Sequence, residues 1–215
     1  MIGLAPHTVK IIDMVAQLDC IRPYWLVGGT ALSLQLQTRQ IEDLDFQKWR
    51  TSKNEKMEVK WDVIEKELST IGEIESRDIY DFDHVEFRVA GGKFSFYACD
   101  KYSPIKNEII YQGNIKLADI LAIGAMKMEV MLRRNKFRDY YDLYSILQSG
   151  VNINTLIDGA LQYSRHRLKS KNLLSMLTRG ELFSEDENFH LLEPIYNVST
   201  QDIENYIKSC LQQEK

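Results

Sequence analysis

The chain is poor in cysteine and proline and has no long apolar run. Its three cysteines, Cys20, Cys99 and Cys210, are odd in number and far apart, which excludes a disulfide framework and offers no zinc-binding spacing, so they read as reduced packing residues. The four prolines are scattered, and with neither an internal repeat nor a low-complexity linker nothing marks a sharp domain boundary. No stretch approaches the roughly 20 apolar residues of a membrane-spanning helix. Met1 to Lys10 lack the basic region followed by an apolar core of a secretory signal, so export is not expected and the cytoplasm is the expected compartment. Charge of one sign is lacking too: 27 Lys and Arg against 31 Asp and Glu, a formal net charge of −4, give no general attraction for nucleic acid or membrane. What remains is a 215-residue chain, 44% hydrophobic and 27% charged, long enough for one core or for a catalytic domain with a helical extension.

Glycines are few, yet two stand together. Tyr24-Trp25-Leu26-Val27 is a short β-prone run that stops at Gly28-Gly29, and Thr30 to Gln37 then reads as a short helix. Such a strand-glycine-helix turn lets a ligand approach the backbone closely and points the N–H groups of the first helical turn, with Thr30 beside them, at a docking anion such as a phosphate. Thirteen residues later comes Asp43-Leu44-Asp45-Phe46. A strand of period two puts both aspartates on one face and both apolar residues on the other. Carboxylates so close repel unless a cation lies with them, and hard oxygen ligands suit Mg²⁺ or Mn²⁺ shared with substrate phosphates. Taken singly, the glycines also fit an ordinary turn, and the aspartates fit the solvent face of an edge strand. Together they follow the order hydrophobic-Gly-Gly, thirteen residues, Asp-hydrophobic-Asp-hydrophobic, which resembles the signature of the DNA polymerase β-like nucleotidyltransferase superfamily.

Periodicity predicts helices near 6–18, 30–38 and 56–70, strands near 24–27, 42–48, 73–80, 84–90 and 93–99, and helices near 117–133, 138–148, 153–167, 170–179 and 200–212. The expected fold is α+β: a small mixed sheet with packed helices over residues 1–115, then a helical region over 116–215 that completes the cleft. In the helix from Leu117, Lys127 falls within the apolar stripe of Ile120, Ile123, Gly124, Val130 and Met131. A lysine there either snorkels outward along its stem or meets an anion. Downstream, Asp139 and Asp142 are i,i+3 neighbours and Arg138 can reach Asp142 at i,i+4, a pattern that also fits a first-turn acid and a surface ion pair. Basic segments at 133–138 and 165–171 offer phosphate contacts or simply solvated helix faces. Tyr140, Tyr141, Tyr144 and Tyr163, spaced among leucines and isoleucines, read mainly as helix core.

The run from Leu117-Ala118-Asp119 to Met126-Lys127-Met128-Glu129, followed by Arg133-Arg134-Asn135-Lys136-Phe137-Arg138-Asp139-Tyr140-Tyr141-Asp142-Leu143, is similar to the AbiEii/AbiGii toxin family, and the Gly-Gly-Thr-Ala-Leu and Asp-Leu-Asp-Phe segments fit the same family. The resemblance covers roughly residues 20–148. It implies a nucleotidyltransferase fold, a divalent cation (Mg²⁺ or Mn²⁺), a nucleoside triphosphate donor, a role as toxin beside a cognate antitoxin in a bacterial toxin–antitoxin or phage-defence pair, and in some members tRNA as acceptor. By the same resemblance Gly28, Gly29 and Thr30 hold phosphate, Asp43 and Asp45 bind metal, Lys127 contacts the triphosphate, and Asp139 and Asp142 support the nucleotide site. One departure stands out. The superfamily brings a third acid from a neighbouring strand, and the expected strand here, Lys93 to Cys99, offers Ser95 instead, with Glu86 or Asp100 as possible replacements. The alternatives are a transferase acting on a small hydroxylated, antibiotic-type compound and a nucleotide-binding module that transfers nothing.

Overall fold

The structure is a computed structural model, and it describes residues 3–165 and 167–213. The chain divides into two compact units, one formed by Met1–Leu34 with Gln40–Asp119, the other by Gln35–Arg39 with Ile120–Lys215.

The first unit holds all seven described strands in one mixed sheet: β1 (Trp25–Leu26), β2 (Asp43–Trp49), β3 (Ile74–Asp81), β4 (His84–Val89), β5 (Gly92–Cys99), β6 (Ile109–Gln112) and β7 (Ile115–Leu117). Their order is β3-β4-β5-β2-β1-β7-β6. The pairs β2–β5 and β1–β7 are parallel and the others antiparallel. Period-two alternation sorts the faces: Leu44, Phe46, Phe94, Phe96, Val85 and Phe87 are all buried, with Phe46 stacked on Phe96 at 5.2 Å between ring centroids. Helices α1 (Pro6–Val15) and α3 (Trp61–Leu68) belong to this unit, as does most of α2 (Gly28–Leu36). The Thr8 hydroxyl donates to the Glu42 carbonyl at 3.0 Å, tying α1 to the approach of β2.

The second unit is helical: α4 (Ile120–Met131), α5 (Phe137–Gln148), α6 (Ile153–Tyr163), α7 (Ser170–Leu177) and α8 (Thr200–Gln213). A Cβ on Gly124 would lie 2.6 Å from Leu156 Cδ2, so the Leu156 side chain of α6 packs directly on the bare glycine of α4. Tyr140 and Tyr141 are fully buried: the Tyr140 hydroxyl donates to the Leu177 carbonyl at 2.7 Å and the Tyr141 hydroxyl to the Thr38 carbonyl at 2.9 Å.

The mixed α/β architecture and the helical C-terminal part agree with the sequence reading. The corrections are local. The helix expected over 56–70 spans only Trp61–Leu68, and the strand expected over 24–27 only Trp25–Leu26. The helix expected from Leu117 begins at Ile120, because residues 109–117 form the β6–β7 hairpin, which the sequence reading missed. Gly113-Asn114 was its turn signal, Gly113 having a φ of +51°. The long apolar run after residue 115 masked the change from period two to period 3.6.

Candidate active site

Gly28 has a φ of +64°, and a Cβ built there would lie 3.0 Å from Asp45 Oδ2. Glycine thus suits the left-handed backbone, and a side chain there would press on the Asp45 carboxylate. Helical hydrogen bonding in α2 starts with the Ala31 N–H donating to the Val27 carbonyl at 3.3 Å, so the N–H groups before it lie ahead of the helix's own ladder. The Thr30 hydroxyl is buried and donates to the Asp43 carbonyl, and the Val27 N–H donates to the Asp45 carbonyl at 2.8 Å. The Gly-Gly turn is therefore bound to the backbone of both aspartates.

Register builds the rest of this face. Asp45 pairs with Ser95 and Ser95 with Glu86, which in turn pairs with Asp78; one row down, Asp43 pairs with Lys93 and Lys93 with Arg88. Cross-strand partners share a face, so Glu86 shares the face of Asp43 and Asp45. It lies two strands from Asp45, about 10 Å at the strand spacing. Ser95 is fully buried at the expected third-acid position, its Oγ 3.5 Å from Glu86 Oε1. Asp100 follows β5 at the far end, five residues beyond Ser95 and about 16 Å along the strand direction. It does not join the row.

The charges of this face are partly balanced. Lys93 Nζ lies 3.0 Å from Glu86 Oε1. Burial would raise the Glu86 carboxyl, but the Lys93 hydrogen bond and charge hold it below the usual range. Asp43 is shifted the other way: burial raises it, with Lys93 opposing. Two half-buried carboxylates on one strand face, one held above its usual range by burial, are a donor set suited to a small divalent ion that completes its shell with substrate phosphates and water. Among the described residues no group of three or more His, Cys, Asp or Glu converges as a metal cage.

The second unit contains a separate buried charge network. Lys127, 7% exposed, places Nζ 2.9 Å from Asp139 Oδ1 and 2.6 Å from Asp142 Oδ2. Of the two fates read from sequence, it meets anions, here from its own chain. Arg39 holds Asp142 bidentately, Nε to Oδ1 at 2.7 Å and an Nη to Oδ2 at 2.8 Å, while Arg134 Nε reaches Asp139 Oδ2 at 3.0 Å. Burial would lower the Lys127 ammonium and raise both carboxyls, but the opposite charges win, so Lys127 is shifted up and Asp139 and Asp142 down. Arg138 does not pair with Asp142: it donates to Asp186 at 2.9 Å, because Asp142 points into the core. Arg39 was missed, since nothing in a lone arginine 103 residues upstream signals this partner. Arg133 lies 3.4 Å from Glu129, so segment 133–138 is largely engaged with acids. In segment 165–171, His166 lies outside the described residues.

A family model described as "Nucleotidyl transferase AbiEii toxin, Type IV TA system" matches residues 21–215. No curated protein matches the chain. With nearly its whole length matched, the chain belongs to this family of nucleotidyl transferases from toxin–antitoxin systems.

Proposed function

We propose that this AbiEii-family member moves a nucleoside monophosphate from a nucleoside triphosphate to an acceptor hydroxyl at the end of an RNA of tRNA type, with a cognate antitoxin restraining it. The acceptor oxygen attacks the α-phosphorus, an O–P bond forms, the bond to the bridging oxygen breaks, and pyrophosphate leaves in line with the attack. Gly28, Gly29 and the first turn of α2 bind the departing phosphates. Asp43 and Asp45 would hold a divalent cation, which when bound supplies charge neutralisation at the attacking and leaving oxygens. Glu86 is our candidate to take the acceptor's proton, through water, in place of the acid missing at Ser95. In the second unit Asp139 and Asp142 keep Lys127 protonated and oriented. The single observation that supports this reading best is the bonding of the Gly28 turn to the backbone of Asp43 and Asp45, which welds the two halves of the motif into one surface.

A second reading has its own observation. Glu86 and Asp78 lie in register with Asp45, and an acid-lined face favours a small cationic hydroxylated acceptor. Pyrophosphate release from each nucleoside triphosphate, with Mg²⁺ or Mn²⁺ and either total RNA or small aminated polyols, separates the two. Release only with RNA supports our assignment, release only with the small acceptors supports the second, and metal-dependent triphosphate binding without release under either condition leaves a binding module.

A further inference from the structure

The face that carries Asp43 and Asp45 also carries a column of rings that nothing above uses. Tyr97 on β5 lies two residues beyond Ser95 and pairs with His84 on β4. The rings of Tyr97 and His84 stack at 4.2 Å with planes 21° apart, and Tyr80 of β3 stacks on the other side of His84 at 4.5 Å and 16°. Three near-parallel rings thus run outward from the carboxylates toward the β3 edge. The column is placed by a local irregularity: the ladder runs from Ile79↔Val85 to Asp81↔His84, one residue too many on β3, so Tyr80 and Asp81 both stand against His84. Such bulges re-aim side chains beside active sites. The last ring stays open, Tyr80 being 61% exposed, whereas Tyr97 and His84 are partly covered.

We infer that Tyr80, at the end of the Tyr97–His84–Tyr80 column, seats an unpaired nucleobase of the acceptor strand by stacking. The inference rests on the nucleotidyl-transfer reading. Attacking and leaving groups lie on opposite sides of the α-phosphorus. With the phosphates assigned to Gly28-Gly29 on the β1 side of β2, the acceptor arrives from the opposite side, across β5 and β4, where the column stands. A flat exposed ring closing a parallel stack accepts one more planar partner of any base identity. A cation is the less favoured occupant. Glu86, the carboxylate next to the column, is already matched by Lys93 at 3.0 Å and by the Tyr80 hydroxyl at 3.3 Å, so the feature on offer is the ring face rather than a free charge.

The test is binding of a short single-stranded RNA carrying 2-aminopurine next to its 3′ end, followed by fluorescence quenching without nucleoside triphosphate or metal. The wild type and the Tyr80→Phe variant should quench it alike, and Tyr80→Ala should bind about ten-fold more weakly, at the low end of the stacking range. Asp43→Ala/Asp45→Ala should keep the quenching while losing transfer. Undiminished binding by Tyr80→Ala overturns the inference. So does displacement of the probe by nucleoside triphosphate, which would make the column the seat of the donor's base, and so does Tyr80-dependent binding of spermine with no binding of RNA. Tyr80-dependent quenching in a protein that transfers nothing would sink the transfer reading and leave the base site standing.

Discussion

Replacing Arg39 by Met should destabilise the helical unit strongly. The Arg39 side chain is 5% exposed and its partner Asp142 1% exposed, and two short hydrogen bonds of 2.7 and 2.8 Å join them. Removing the guanidinium leaves Asp142 buried with only the Lys127 ammonium at 2.6 Å to offset its charge. Breaking a buried pair on one side costs about 3–5 kcal/mol, far more than the pair's net worth, because a charge is stranded. The remaining lysine puts the expectation near 3 kcal/mol at the lower end of that range. At about 2–4 °C per kcal/mol for a chain of this size, the midpoint should fall by roughly 6–12 °C. Thermal and urea unfolding, read by far-ultraviolet circular dichroism at the helix band, would measure it. Arg39→Met/Asp142→Leu should recover more than half of the loss, since no charge is then orphaned. Arg22→Met, which removes an exposed pair with Asp19 in the other unit, should leave the midpoint unchanged. Melting of Arg39→Met together with the wild type, or a double variant less stable than the single one, would show that Asp142 is not stranded by loss of the guanidinium.

Three further outcomes follow from the same geometry. Gly28→Ala should cost about 1–2 kcal/mol for the left-handed backbone alone, and it should depress transfer more than stability, because the new Cβ meets Asp45 Oδ2 at 3.0 Å; paired melting and rate measurements check the imbalance. Asp139 and Asp142 have folded values below their ordinary 3.8, so their contribution is complete above that pH and is lost as pH falls through the folded values. Lys127 has a folded value above its ordinary 10.5, so its contribution is complete below that pH and is lost as pH rises through the folded value. Unfolding free energy from this network should therefore be flat from about pH 4 to 10 and fall outside it, and Asp142→Asn should flatten the acid limb. Glu86→Gln should lower kcat with little change in triphosphate KM and remove the acid limb of the rate profile; an unchanged profile would exclude Glu86 as the proton acceptor.

Much of this was legible where a local rule forces it. The alternation of Asp43-Leu44-Asp45-Phe46 left one arrangement in a half-buried strand, and the glycine pair announced a turn. Lys127 inside an apolar stripe left two fates open, snorkelling outward or meeting an anion, and gave no sign of its partners. Asp139 and Asp142 were visible as neighbours, yet whether they faced water or core depended on Arg39, a contact across 103 residues that no period encodes. Glu86 was undecided for the same reason: alternation gives a strand two faces, and only the pairing with Ser95 says which one meets the aspartates. The Tyr80 column was invisible because it arises from a bulge, where period two fails.

Transfer of the α-phosphoryl group with its nucleoside is read from where a phosphate label ends up. The protein is incubated with RNA, Mg²⁺ or Mn²⁺, and each nucleoside triphosphate labelled at the α- or the γ-phosphate, beside Asp43→Asn/Asp45→Asn. We predict that α-label enters RNA with the wild type alone, while γ-label appears as pyrophosphate. Entry of γ-label into RNA, or α-label transfer that survives in the double variant, would contradict the account.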